Sequence, residues 1–158
     1  MQNITPFLWF DSQAGEAADF YVSIFRNSRV LKTVHYGAAG PGAPGSVMTV
    51  EFELDGLRLV ALNGGPHFKF SEAVSFVVNC DSQAEVDSYW ERLSAGGRPD
   101  RCGWLKDRYG LSWQVVPSVL PQLLGDPDSL KAQRTMQAML KMDKLDIAVL
   151  RRAHAGGN

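Results

Sequence analysis

The chain has 158 residues, 45% hydrophobic and 21% charged, enough for one ordinary domain or two small fused repeats, which excludes a large multidomain enzyme and a disordered chain. Its 16 Lys and Arg against 17 Asp and Glu give a net charge of -1, without the excess of positive charge that a dedicated nucleic-acid binder concentrates. No apolar run reaches the roughly 18–20 residues of a membrane span, and the N-terminus lacks the basic-then-apolar layout of a signal peptide, so the expectation is a cytoplasmic protein with neither nucleic acid nor membrane as partner.

Residues 4–10 read as a short buried strand. Asp11 and Ser12 follow it with side-chain oxygens suited to capping a helix. Ala17, Phe20, Tyr21, Ile24 and Phe25 recur at three-and-four spacing and predict an amphipathic helix over 13–25. Residues 30–36, rich in β-branched and aromatic side chains, predict a strand, and the Gly- and Pro-rich stretch 37–46 predicts a flexible loop, with a lid over a pocket left open as one of its roles. Met48, Val50, Phe52 and Leu54 alternate with Thr49, Glu51 and Glu53, Asp55-Gly56 makes a tight turn, and 57–62 is the returning strand. Glu51 and Glu53 face away from the apolar residues and read as charges covering the sheet rather than an acid/base pair.

The second half starts as the first does. Asp81-Ser82-Gln83-Ala84 repeats Asp11-Ser12-Gln13-Ala14, each time after an apolar strand, here residues 73–79. Glu85, Tyr89, Trp90 and Leu93 fall opposite Glu16, Phe20, Tyr21 and Ile24. Ser82 and Glu85 match the capping-box pattern, and Gly96-Gly97 ends the second helix. Residues 102–106 and 111–116 predict a hairpin around Asp107-Arg108-Tyr109-Gly110, with a short strand near Arg98. The chain is therefore two βαβββ modules, about 1–65 and 70–117, in one α+β domain of residues 1–117, the two copies joined edge to edge in one curved mixed sheet. A helical extension, 118–158, follows: helices over 119–124 and 128–140, one or two turns over 144–152, and a frayed tail from Arg151. Met136, Met139 and Met142 supply packing surface.

Chemical motifs are sparse. The stretch 37–46 has no Gly-Lys-Ser/Thr and does not run from strand to helix, so it lacks a phosphate cradle; no doubly wound nucleotide-binding unit is encoded. Cys80 and Cys102 are too few for a disulfide framework and lack metal-ligand spacing. His35, His67 and His154 are scattered. His67 lies in the connection between the modules with Asn63, Phe68 and Phe70, a mixture of apolar walls and a few polar groups that suits a pocket rim. Trp9, Trp104 and Trp113 sit on strands that could line a concave face. No Ser nucleophile elbow is present.

The paired modules, Pro6-Phe7-Leu8-Trp9-Phe10-Asp11, Ala61-Leu62-Asn63-Gly64-Gly65-Pro66 and the run from Trp104 through Asp107-Arg108-Tyr109-Gly110 to Trp113-Gln114 resemble the PhnB-like branch of the vicinal oxygen chelate superfamily. That superfamily includes glyoxalase I, extradiol dioxygenases and bleomycin-resistance proteins. The resemblance covers residues 4–117 and implies a homodimer whose cupped sheet encloses a cavity. Its enzymes hold a divalent metal near positions that fall here at Thr5, Ala61, Ala73 or Ser75, and Gln114, and none of these is His or a carboxylate. The resulting expectation is a small-molecule-binding protein with no metal and no cofactor. Its ligand is apolar or aromatic, contacted from Thr5, Trp9, Asn63, His67, Ser75, Trp104 and Gln114. The alternatives are an enzyme, either a 3-demethylubiquinone-9 3-methyltransferase-type transferase, as such sequences are often labelled, or a metal-dependent lyase or dioxygenase with ligands such as His67, Glu51 and Glu53, and an interaction module acting through the Met-rich helices.

Overall fold

The computed structural model describes residues 2–157, which form two compact units divided between residues 70 and 71. The first contains β1 (Phe7–Phe10), α1 (Ala14–Ile24), β2 (Arg29–His35), β3 (Val47–Leu54) and β4 (Leu57–Asn63). Its sheet has the order β1-β4-β3-β2, with β1 parallel to β4 and the other pairs antiparallel. The alternation read in β3 sets the faces. Val50 pairs with Ala61 and Phe52 with Leu59, Leu8 pairs with Ala61, and all five are buried. Helix α1 covers this face, with the Tyr21 ring stacked 6.2 Å from that of Phe52; full burial of side chains of this size stabilises by roughly 1.5–3 kcal/mol each.

Two expectations for this unit are corrected. The first strand is shorter than 4–10, and Ile4 and Phe7 are 85% and 58% exposed, because Phe7 falls on the sheet face opposite α1. Nor do Asp11 and Ser12 cap α1. Gln13 occupies the cap position without a side-chain bond, and the missing acceptor comes from the end of β4, where Asn63 Oδ1 accepts the Ala14 N–H at 2.8 Å.

The second unit contains β5 (Ser75–Cys80), α2 (Gln83–Ser94), β6 (Arg98–Pro99), β7 (Trp104–Lys106), β8 (Ser112–Pro117) and then α3 (Leu120–Leu124), α4 (Ser129–Met139) and α5 (Ile147–Ala155). Its strand order, β5-β8-β7-β6, repeats that of the first unit, again with the parallel pair between its first and last strands. Ala17 and Val86, and Ile24 and Leu93, which the internal repeat aligns, are buried in both helices. The predicted cap forms here, with the return bond displaced by one residue: Ser82 Oγ accepts from Glu85 N at 3.2 Å, while Glu85 Oε2 accepts from Asp81 N, just before the cap, at 2.7 Å. Under α2 lie Val78, Cys80, Leu105, Trp113 and Val115, all buried.

The last three helices close on Leu120, Leu123, Leu145 and Leu150, with Met139 and Met142 packed against them. Backbone bonds from Cys102 N to Met142 O (2.8 Å) and Gly103 N to Asp143 O (2.7 Å) fasten the extension to the strand hairpin. The Gln83 amide donates to Leu145 O and accepts from Ile147 N, which fixes the start of α5 on α2. The tail predicted to fray from Arg151 is instead helical to Ala155. Arg134 on α4 donates to the Ala153 and His154 carbonyls, the His154 ring meets Asp126 at 2.8 Å, and Gly156 ends the helix in the left-handed conformation, so the last carbonyls are satisfied.

Candidate functional site

Strand pairing gathers three of the sequence-predicted residues on one face of the second sheet, the face turned away from α2. Trp104 pairs directly with Gln114, Val77 pairs with Gln114 from the other side, and Gln114 Nε2 donates to Ser75 Oγ at 2.9 Å. Trp104, Gln114 and Ser75 are half-buried and Val77 is exposed. One pair further along the same face, Ser112 lies between Ser75 on β5 and Lys106 on β7. Ser112 is 1% exposed, and its Oγ has no hydrogen-bond partner among the described residues. Lys106 Nζ meets Glu72 Oε1 at 2.5 Å, and this hydrogen bond holds the Glu72 carboxyl below the usual carboxylate range. Sequence reasoning missed Ser112 and Lys106, although their parity with Gln114 and Trp104 along β8 and β7 carried the signal.

In the first unit the predicted residues separate. Thr5 lies in a hollow of about 480 Å³ with Gln2, Glu51, Gly56 and Arg58. Glu51 and Glu53 face Arg58 at 3.6 and 3.9 Å, the sheet-covering arrangement read from the alternation. At the other end of the strands a cleft of about 530 Å³ is lined by Asp11, Ser12, Tyr36, Asn63 and His67, among others. His67 is exposed there. The Asn63 amide is spent on the backbone: besides accepting from Ala14 it donates to Val47 O at 3.1 Å. Trp9 is covered by the segment after β4, since its Nε1 donates to Gly65 O at 2.9 Å and Phe68 packs edge-on to it at 4.9 Å.

The Gly-rich stretch 37–46 wraps a single side chain. Tyr36 pairs its backbone with Ser46 and Gly45 and donates its hydroxyl to Asn63 O at 2.5 Å. A Cβ on Gly40 or Gly42 would lie 2.6 or 2.3 Å from the Tyr36 ring. Of the three cleft-side tryptophan candidates, Trp113 is core, 4% exposed.

The positions at which the fold's metalloenzymes carry their ligands do not fit a divalent cation here. Thr5, Ser75 and Gln114 offer no imidazole or carboxylate. Ala61 lies on the α1 side of the sheet, fully buried, so its inward neighbours in register are Val60 and Leu62, also without donor atoms. Among the described residues no group of three or more His, Cys, Asp or Glu is placed to hold a metal. S-adenosylmethionine fares no better: the turn between β1 and α1 is Asp11-Ser12-Gln13, without glycine, and the first N–H of α1 is already bonded to Asn63. No described helix is long and apolar enough to cross a membrane.

Comparison with known proteins agrees with this architecture. The family described as 3-demethylubiquinone-9 3-methyltransferase matches residues 2–116. A PhnB protein from Bacillus cereus, described as a putative 3-demethylubiquinone-9 3-methyltransferase, is 32% identical over 74% of this chain and all of its own, with a TM-score of 0.68. A Pseudomonas aeruginosa protein (21% identity, TM-score 0.62) covers 74% of this chain and 98% of its own. The fosfomycin resistance protein FosX of Listeria monocytogenes (16%, TM-score 0.58) covers 79% and 98% and shares the fold. No curated protein sequence matches. With two βαβββ units of the same strand order, a match over most of the chain and a relative at 32% identity, the chain belongs to the 3-demethylubiquinone-9 3-methyltransferase family, the PhnB-like branch of the vicinal oxygen chelate superfamily.

Proposed function

We propose that the protein binds a small apolar or aromatic molecule without a metal ion, seated on the sheet face, turned away from α2, that carries Ser75, Trp104 and Gln114. The observation that carries this reading is the cross-strand trio itself: an indole and an exposed Val77, one on either side of Gln114, supply apolar area, and the Ser75–Gln114 pair supplies polar orientation where metalloenzymes of this fold place a ligand atom. Within the first unit, Thr5, Trp9, Asn63 and His67 are proposed as ligand contacts of that unit by itself, with the Asn63 and Trp9 polar atoms acting through the backbone they hold. The homodimer common in this superfamily is proposed here too, to be read as a doubled molar mass in solution.

The test is a thermal-shift screen of neutral and charged aromatic compounds with and without a chelator. Hits whose stabilisation is unchanged by chelator and lost in Trp104→Ala support the reading. Stabilisation that requires a stoichiometric metal overturns it. The family description favours a second reading, a transferase acting on a quinone-like substrate. Heat on titrating S-adenosylmethionine into the protein would establish that reading; the turn at Asp11–Gln13 speaks against it.

A further inference from the structure

The face of the second sheet turned away from α2 carries a charge arrangement that an apolar ligand does not use. Lys106, paired across the strands with Ser112, is the more buried member of its ion pair: its side chain is 21% exposed against 55% for Glu72. Glu72 belongs to no strand; it sits in the turn that precedes β5, and Arg98 reaches the same carboxylate only at 4.0 Å. A half-buried cation is thus countered by a carboxylate from a surface turn, and exposed pairs of that kind are weak and easily exchanged. Beside it lies the Ser112 hydroxyl, buried without a partner. Buried hydroxyls are nearly always bonded, and the exceptions call for an explanation. Ser112 and Lys106 are directly opposed on one face, with Cβ atoms about 4.5–5.5 Å apart, so a donor hydroxyl and a flexible ammonium rise from neighbouring positions, a pair that the two oxygens of one carboxylate can bridge.

We propose that this face takes the anionic group of an aromatic carboxylate. In the complex, the ligand carboxylate replaces Glu72 on Lys106 and accepts from Ser112, while its ring lies against Trp104 and Val77. Glu72 acts as a resident competitor that keeps Lys106 paired when the face is empty. The inference rests on the preceding reading that this face binds a small molecule, and it names the ligand's charge.

The experiment titrates 1-naphthoate and the isosteric neutral 1-naphthamide into the full-length protein and its Lys106→Met and Glu72→Gln variants by calorimetry, each variant checked for an unchanged circular dichroism spectrum. The expected result is naphthoate binding at least ten-fold tighter than naphthamide in the parent protein. That preference disappears in Lys106→Met. In Glu72→Gln naphthoate tightens several-fold, and naphthamide is unaffected, because only the anion competes with Glu72. A Lys106–Glu72 pair that is merely structural gives the opposite pattern for Glu72→Gln, lower stability and no gain in affinity, and overturns the proposal. Equal binding of the two probes also overturns it while leaving the small-molecule reading intact. Failure of both probes to bind overturns the anion proposal, and the broader reading then stands or falls on the neutral hits of the thermal-shift screen.

Discussion

The Asp107 carboxylate, 2% exposed, accepts the Trp113 indole N–H at 2.9 Å across the hairpin that joins β7 and β8. Its other oxygen accepts the backbone N–H groups of Tyr109 and Leu111 at 2.8 and 3.1 Å, so one side chain shapes the turn and ties it to the core. Gly97 lets a neighbouring strand approach this turn, since a Cβ there would lie 2.1 Å from Lys106 O. Replacing Asp107 with Ala leaves three donors without this acceptor, two of them buried, and the expected loss is about 3 kcal/mol in urea unfolding. In a double-mutant cycle with Trp113→Phe the second substitution adds less than it does alone, a coupling of about 1–2 kcal/mol. Strict additivity would show that the Asp107–Trp113 bond contributes nothing.

The hairpin itself is legible in the sequence, because Asp107 to Gly110 is turn chemistry between two apolar stretches. The inward aim of Asp107 is not, because a charged turn residue ordinarily faces water and only the three-dimensional donors show otherwise. The same division runs through the site. Parity along β7 and β8 places Trp104 with Gln114, whereas a one-residue shift in the strand-by-strand carry-over puts Ala61 on the buried side, since side-chain direction has a period of two. Asn63 illustrates a further limit: a polar residue at a strand end reads equally well as a ligand contact, and its bonds to Ala14 and Val47 join segments far apart in the chain. The continuation of the final helix to Ala155 was illegible for a comparable reason, since its end is held by Arg134 from another helix rather than by its own sequence.

Ser112 offers a substitution whose effects on stability and on binding have opposite signs. Its hydroxyl is buried without a partner, and removing such a group relieves an uncompensated desolvation. Ser112→Ala is expected to raise stability by about 1 kcal/mol and, in the naphthoate titration, to weaken binding. A destabilised Ser112→Ala protein would mean that the hydroxyl is satisfied in solution, and the donor assigned to the ligand would be lost with it.

The wrapped conformation of residues 37–46 makes the stretch a cover over Tyr36 rather than a free lid. A Cβ on Gly42 would meet the Tyr36 ring at 2.3 Å, so Gly42→Ala forces the ring and loop apart, at a cost of roughly 1–3 kcal/mol. Hydrogen exchange reads the result: the Tyr36 and Gly45 amides, bonded to Ser46 and Tyr36 carbonyls, lose protection in Gly42→Ala while the α2 amides keep theirs. Unchanged protection at Tyr36 and Gly45 would show that the loop closes without the ring.

Cys80, fully buried, has its thiol pushed up to about 11 by burial, with Glu85 and Asp81 adding to the shift. A group that holds its proton more tightly when folded contributes stability that is complete below its unfolded value of 9.0 and is lost as the pH rises toward 11. Over that window the unfolded chain releases a proton that the native chain keeps, and the difference between the parent protein and Cys80→Ala should shrink by about 1.4 kcal/mol per pH unit. Below pH 9 that difference is flat. Urea unfolding of both proteins from pH 7 to 11 measures it. The same burial keeps Cys80 a neutral thiol at pH 8, so the native protein should expose one fast-reacting thiol to a disulfide reagent, the half-buried Cys102, with Cys80 reacting only as the chain unfolds. Rapid reaction of both thiols in the native protein would place Cys80 within reach of solvent and remove the basis for the alkaline loss.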